Sequence, residues 1–157
     1  TGTVTSSTIG IYKLAGPAVV QATESVNARY YLTVTSAIGT TQVNYDTKDY
    51  DSHSAVTVGA SWKFTAPVSG KFSVKIISQA STANQGDLVL TKNGSPFSPI
   101  ASLAGAYANT TQNGSTDIQL LANDVIDIRA ALTGSTLVNT TTGTGPRNSI
   151  SISRVGN

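Results

Sequence analysis

The chain has no Cys and no Met, a single His, a single Trp, and only 11% charged residues. Without Cys there is no disulfide framework, no thiolate-held zinc and no thiol nucleophile. One imidazole excludes every site that needs two, and any Ser-His-Asp relay must run through His53. Charge of either sign is scarce, 10 bases against 8 acids, for a formal net charge of +2. No basic stripe accompanies that small excess, so nucleic-acid binding is not expected. The apolar runs are short and bounded by Gly or polar residues, far below the ~18 residues of a membrane span. Membrane insertion is not expected either.

Ser and Thr fill the gap, at about a quarter of the 157 residues. Helix surfaces favour Glu, Lys, Arg and Gln, whereas Thr suits a pleated strand. The composition therefore predicts an all-β protein, and the length fits one domain that buries a core unaided. The chain opens on Thr1-Gly2-Thr3 with neither an initiator Met nor a secretory signal, which points to a piece or processed product of a longer protein.

Residues 1–28 show no sustained period, and Gly16-Pro17 interrupts them, which predicts an extended arm or linker. From Arg29 the pattern turns to period two, with Tyr30, Leu32 and Val34 on one face. Val43 with Tyr45, and Ala55 to Val58, predict short strands. Trp62, Phe64 and Ala66 share a face, as do Phe72, Val74 and Ile76. The turn Pro67-Val68-Ser69-Gly70 between them predicts a hairpin. Asn93-Gly94 predicts a type I′ turn after Leu88 and Leu90. Pro96 and Pro99 make the next segment an edge strand. Beyond Ala122-Asn123-Asp124, Ile126, Ile128 and Ala130 face inward and Asp127 and Arg129 outward. Residues 132–147 are dense in Thr and Gly and read as a long loop, before a last strand carrying Ile150 and Ile152. About ten short strands without a helical signal predict a sandwich or jelly roll.

Four segments, in order, resemble the C1q/TNF-like jelly roll. Trp62-Lys63-Phe64-Thr65-Ala66-Pro67-Val68-Ser69-Gly70-Lys71-Phe72 is similar to the family's "F-x-x-P-x-x-G-x-Y/F" segment. Asp87 to Gly94 resembles "l-x-l-x-k-N-G", and Ile118 to Ile126 resembles "v-x-L-x-x-G-D-x-V". In the last, Asn123 replaces Gly at a turn that Asn also tolerates. Ser149 to Val155 is similar to the closing strand. Residues 45–53, leading into Trp62, look like C1q-like domains of bacteriophage virion proteins, at fibre tips or on capsids. The resemblance implies a jelly-roll domain over residues 29–157, a homotrimer, and a virion-surface, extracellular location. It implies binding to a host-surface glycan or protein, or to capsid or fibre subunits, and no enzyme activity. The rivals are a capsid decoration protein and a carbohydrate-binding module of a secreted protein.

Few residue patterns point to chemistry. Asp46, Asp49 and Asp51 could supply hard oxygen ligands to Ca²⁺, but the loop lacks the Gly and Glu of an EF-hand. The plainer reading is that these acids cap their own backbone. The Gly-x-Ser-x-Gly elbow of a hydrolase is absent. Tyr45, Tyr50, His53 and Tyr107 are the candidate ligand-binding residues, since Tyr rings stack on sugars. Tyr31 is instead a candidate subunit contact. The candidate rim loops are 45–53, 84–87, 105–116 and 132–147. Lys63, Lys71 and Lys75 are expected on one outward face, an anionic-glycan patch or an ordinary solvated sheet. No catalytic residue, firm metal site or cofactor is expected.

Overall fold

The computed structural model describes residues 24–33, 36–38, 42–79, 86–103, 111–132, 135–137 and 148–157. In chain order its strands are β1 (Asn27–Tyr31), β2 (Ser36–Ile38), β3 (Thr47–Asp51), β4 (Val56–Thr57), β5 (Lys63–Thr65) and β6 (Gly70–Gln79). There follow β7 (Gly86–Lys92), β8 (Ser95–Leu103), β9 (Thr111–Leu120), β10 (Val125–Leu132), β11 (Ser135–Leu137) and β12 (Ser149–Gly156). Two five-stranded antiparallel sheets result, ordered β3-β1-β12-β6-β9 and β4-β5-β10-β7-β8, with β2 and β11 paired apart.

Alternation places the core. Ala28 and Tyr30 of β1, Phe72, Val74 and Ile76 of β6, and Ile150 and Ile152 of β12 are buried on one sheet. Leu88 and Leu90 of β7 and Ile126, Ile128 and Ala130 of β10 are buried on the other. Trp62 is fully buried between them, with the Tyr45 and Tyr30 rings edge-on at 5.2 and 6.3 Å. Each large apolar side chain buried this way contributes about 1.5–3 kcal/mol.

The local expectations hold in part. Asn93 and Gly94 both take positive φ, 50° and 81°, in the turn that joins β7 to β8. The edge strand is β8, with register shifts opposite the stretch that carries Pro96 and Pro99. Asn123 is left-handed, at φ 72°. The expected hairpin around Pro67 to Gly70 does not form. β5 pairs with β4 and β10, whereas β6 pairs with β12 and β9 in the opposite sheet. Alternation cannot separate a hairpin from an arch that crosses the core, because both runs turn their apolar face inward. Here Phe64 and Phe72 meet across the core, with ring centroids 5.7 Å apart.

Further differences follow from the topology. Lys63 lies on the sheet opposite Lys71 and Lys75, so the three lysines form no common face. Asp127, expected outward in solvent, is only 5% exposed because Thr91 Oγ1 at 2.6 Å and Arg129 Nε at 3.0 Å cover it. Val43 and Tyr45 are buried without belonging to a strand; Gln42 forms an isolated bridge to Arg129 instead. Within the stretch expected to be a long loop, 135–137 form β11, and 133–134 and 138–147 lie outside the described residues. At the start, Val26 is already buried and β1 begins at Asn27.

The register also orients the sandwich. Gln79 pairs with Thr111, Gly86 with Leu103 and Leu132, and Ser149 with Ile77, which collects these strand ends at one end of the molecule. Glu24, Ser69, Arg154 and Asn157 meet at the other, where the Arg154 guanidinium donates to Ser69 O, Glu24 O and Asn157 Oδ1.

Candidate functional site

The segment from Tyr45 to His53 runs along the sandwich and does not form one site. Tyr45 is fully buried on Trp62, and burial pushes its hydroxyl pKa up. It is a core residue and presents nothing to a ligand, which corrects the expectation drawn from its polar neighbours. Asp46 accepts from Thr33 N at 2.9 Å and from Thr47 Oγ1 at 2.8 Å. Asp49 pairs with Arg29 at 3.2 Å. Asp51 accepts the backbone N–H groups of His53, Ala55 and Val56 and, at 3.0 Å, the Tyr30 hydroxyl. Partial burial, then that carboxylate, push the Tyr30 hydroxyl up to about 12.

The three carboxylates thus hold three separate sets of partners and do not converge as Ca²⁺ ligands would. Among the described residues no three His, Cys, Asp or Glu side chains gather around a common point. Asp51 caps the backbone of its own turn at His53, Ala55 and Val56, whereas Asp46 bonds the backbone of Thr33, distant in sequence.

His53 stands at the end where Glu24 and Arg154 meet. Its Nδ1 is 2.7 Å from Ser52 Oγ and its Nε2 2.8 Å from Glu24 Oε1. The sequence of groups is that of a nucleophile relay, but the setting is a turn. Ser52 Oγ also accepts the Asn27 N–H at 3.0 Å, so it serves the backbone between β1 and the β3–β4 turn. The chain of bonds ties residue 24 to the β3–β4 turn. Tyr107 lies outside the described residues.

A concave site forms elsewhere, on the outer face of the β3-β1-β12-β6-β9 sheet. Register aligns two cross-strand rows there. One is Tyr50, Arg29, Ser151, Lys75 and Ser115; the other is Thr47, Tyr31, Ser149, Ile77 and Asn113. Between them is a groove of about 510 Å³, whose lining includes Arg29, Tyr50, Lys75, Ile77, Asn113 and Ser151. Tyr50 is 45% and Ile77 36% exposed, unusual for large side chains on so hydroxyl-rich a face. Arg29 uses one nitrogen on Asp49. Among the described residues, Lys75 has no carboxylate within ion-pair distance. The nearby Asp117 is held by Lys71 at 2.9 Å, and that bond keeps its carboxyl below the usual range.

At the β9 side the groove is bounded by Gly114, where β8 crosses so closely that an added Cβ would lie 1.6 Å from Ile100 O. Of the candidate ligand residues that are described, the groove contains Tyr50 alone. Arg29 and Ser151 carry no signal in the sequence, because each is an ordinary outward position along its own strand, whereas Asn113 falls within the candidate rim loop 105–116. Only the pairing of strands distant in sequence brings them into line.

No family model and no curated protein matches the chain. Solved structures do. The globular domain of zebrafish complement 1qA protein superposes with a TM-score of 0.54 at 16% identity, over 82% of this chain and 92% of that one. Murine APRIL gives 0.60 at 10% identity, over 84% and 100%. Eiger TNF from S. frugiperda gives 0.54 at 13% identity, over 85% and 94%. The fold is the all-β, two-sheet C1q/TNF-like jelly roll expected from the four motif segments.

Proposed function

We propose that this chain is a non-enzymatic, homotrimeric module of a phage virion, a fibre head or surface knob, that attaches to a glycan or protein on a host surface. The jelly-roll fold and the order of the four motif segments support a binding module, and the 45–53 segment carries the likeness to virion proteins. The observation that carries the binding reading is the two-sheet jelly roll itself, which the complement 1qA, APRIL and Eiger TNF structures share.

The test combines two measurements on the intact chain. Light scattering should give three times the 16.1 kDa mass. Titration against a panel of neutral and acidic oligosaccharides should give saturable binding to at least one. A monomer that binds no saccharide would overturn the proposal.

A further inference from the structure

We infer that Asn93 is a self-modification site: the Gly94 nitrogen displaces its side-chain amide, and opening of the turn between β7 and β8 sets the rate. Asn93 and Gly94 are both exposed, and an added Cβ at Gly94 would meet no atom within 4 Å. Glycine therefore leaves the attacking nitrogen unshielded and open to water. The step balances without a cofactor. The Gly94 backbone nitrogen loses its proton to solvent base and bonds to Asn93 Cγ, closing a succinimide ring. The Cγ–Nδ2 bond breaks, and the side-chain nitrogen takes up a proton and leaves as ammonia. Water then opens the ring at either carbonyl, giving an aspartate or an isoaspartate whose backbone runs through the former side chain. One water is consumed for each ammonia released.

The fold opposes this step at its start. Asn93 Nδ2 donates to Asp124 Oδ1 at 2.8 Å, and Asn93 Oδ1 accepts the Val125 N–H at 2.8 Å. Its backbone N–H donates to Val125 O at 2.8 Å. Both ends of the amide are thus pinned to the β9–β10 turn, and Cγ meets the Gly94 nitrogen only once those bonds open. A turn at the end of a hairpin opens locally, at less cost than a paired strand. The chain carries its own comparison, because Asn113-Gly114-Ser115 repeats the tripeptide Asn93-Gly94-Ser95. Asn113 pairs with Ile77 in the β6–β9 ladder, and at Gly114 the backbone of β8 crosses in contact. Ladder and crossing must both part before a ring closes there. Once Asn93 is converted, a carboxylate replaces the amide that faced Asp124, and two like charges oppose each other across the turn.

Incubation of the intact chain in mildly alkaline buffer and in concentrated urea, followed by peptide mapping with mass spectrometry, reads both tripeptides in one sample. In urea they should convert at similar rates. In buffer both should slow, and Asn93 should convert several times faster than Asn113. Asp124→Ala removes a charged hydrogen-bond partner, so it should speed conversion at Asn93 about tenfold and leave Asn113 unchanged. Lys92→Ala is the milder variant, because it removes only the ion pair 2.8 Å from Asp124 and keeps the bonds to the amide. It should speed Asn93 by a smaller factor, and it decides the matter if Asp124→Ala does not fold. Equal rates at the two sites in buffer, or a faster Asn113, would overturn the inference. So would an Asn93 rate that neither folded variant changes, or one that rises in step with Asn113, which would mark loosening of the whole domain.

Discussion

Replacing Gly114 by Ala should destabilise this domain far more than its setting in an ordinary strand suggests. A Cβ there would lie 1.6 Å from Ile100 O, 2.6 Å from the carbonyl carbon and 3.2 Å from Ala101 Cβ. The nearest obstacles are backbone, so no rotamer change relieves them. To reach even a 3.0 Å contact, β8 must retreat by 3.0 − 1.6 = 1.4 Å. Overpacking costs about 1–3 kcal/mol where neighbours yield, and more where backbone must move. We expect about 3 kcal/mol, a fall in Tm of roughly 6–12 °C for a domain of this size. Elsewhere Gly→Ala tends to stabilise, by about 0.4–1 kcal/mol through the unfolded chain. The sign of the change is therefore informative. Urea titration and calorimetry of Gly114→Ala, with the adjacent Asn113→Ala as control, measure it. A variant within about 0.5 kcal/mol of the parent would refute the close crossing of β8 over β9.

The Asp124 carboxyl is held down at about 2, first by the Asn93 amide, then by Lys92 and the Leu121 N–H. Its folded pKa lies below an unfolded value near ~3.9. What it contributes to stability is therefore complete above about pH 4 and is lost as the pH falls toward 2. Asp124→Asn should flatten the stability curve across that window, and superimposable acid-unfolding curves would count against the assignment. The Tyr45 hydroxyl and Trp62 Nε1 are buried and accept or donate no hydrogen bond among the described residues. Tyr45→Phe should therefore leave Tm unchanged or raise it, by up to ~1 kcal/mol of stability. A loss above that size would show that the hydroxyl has a partner.

Much of the architecture was readable from residues alone because period-two burial is a property of single strands. The inward faces at Tyr30, Phe64, Phe72 and Ile126, the Asn93-Gly94 turn and the proline-marked edge at β8 all follow from local rules. What was not readable depends on pairing. The Pro67 to Gly70 turn joins two sheets, and Trp62 to Phe72 carries the same alternation either way. Tyr45 sits between Asn44 and Asp46, and nothing local says that its ring turns under Trp62. The groove needs Arg29, Ser151, Lys75 and Ser115 in one row, and these residues come from four strands. Their sequence separation leaves no periodic trace, so the sequence offered Lys63 and Lys75 as equals.

The meeting of Glu24 and Asn157 around Arg154 has a mechanical consequence. β1 and β12 are antiparallel neighbours whose outer ends both emerge there. Pulling those two points apart loads the ladder one rung at a time. Arg154 gives way first, then the Asn27–Ser153 pair, and the molecule unzips at low force.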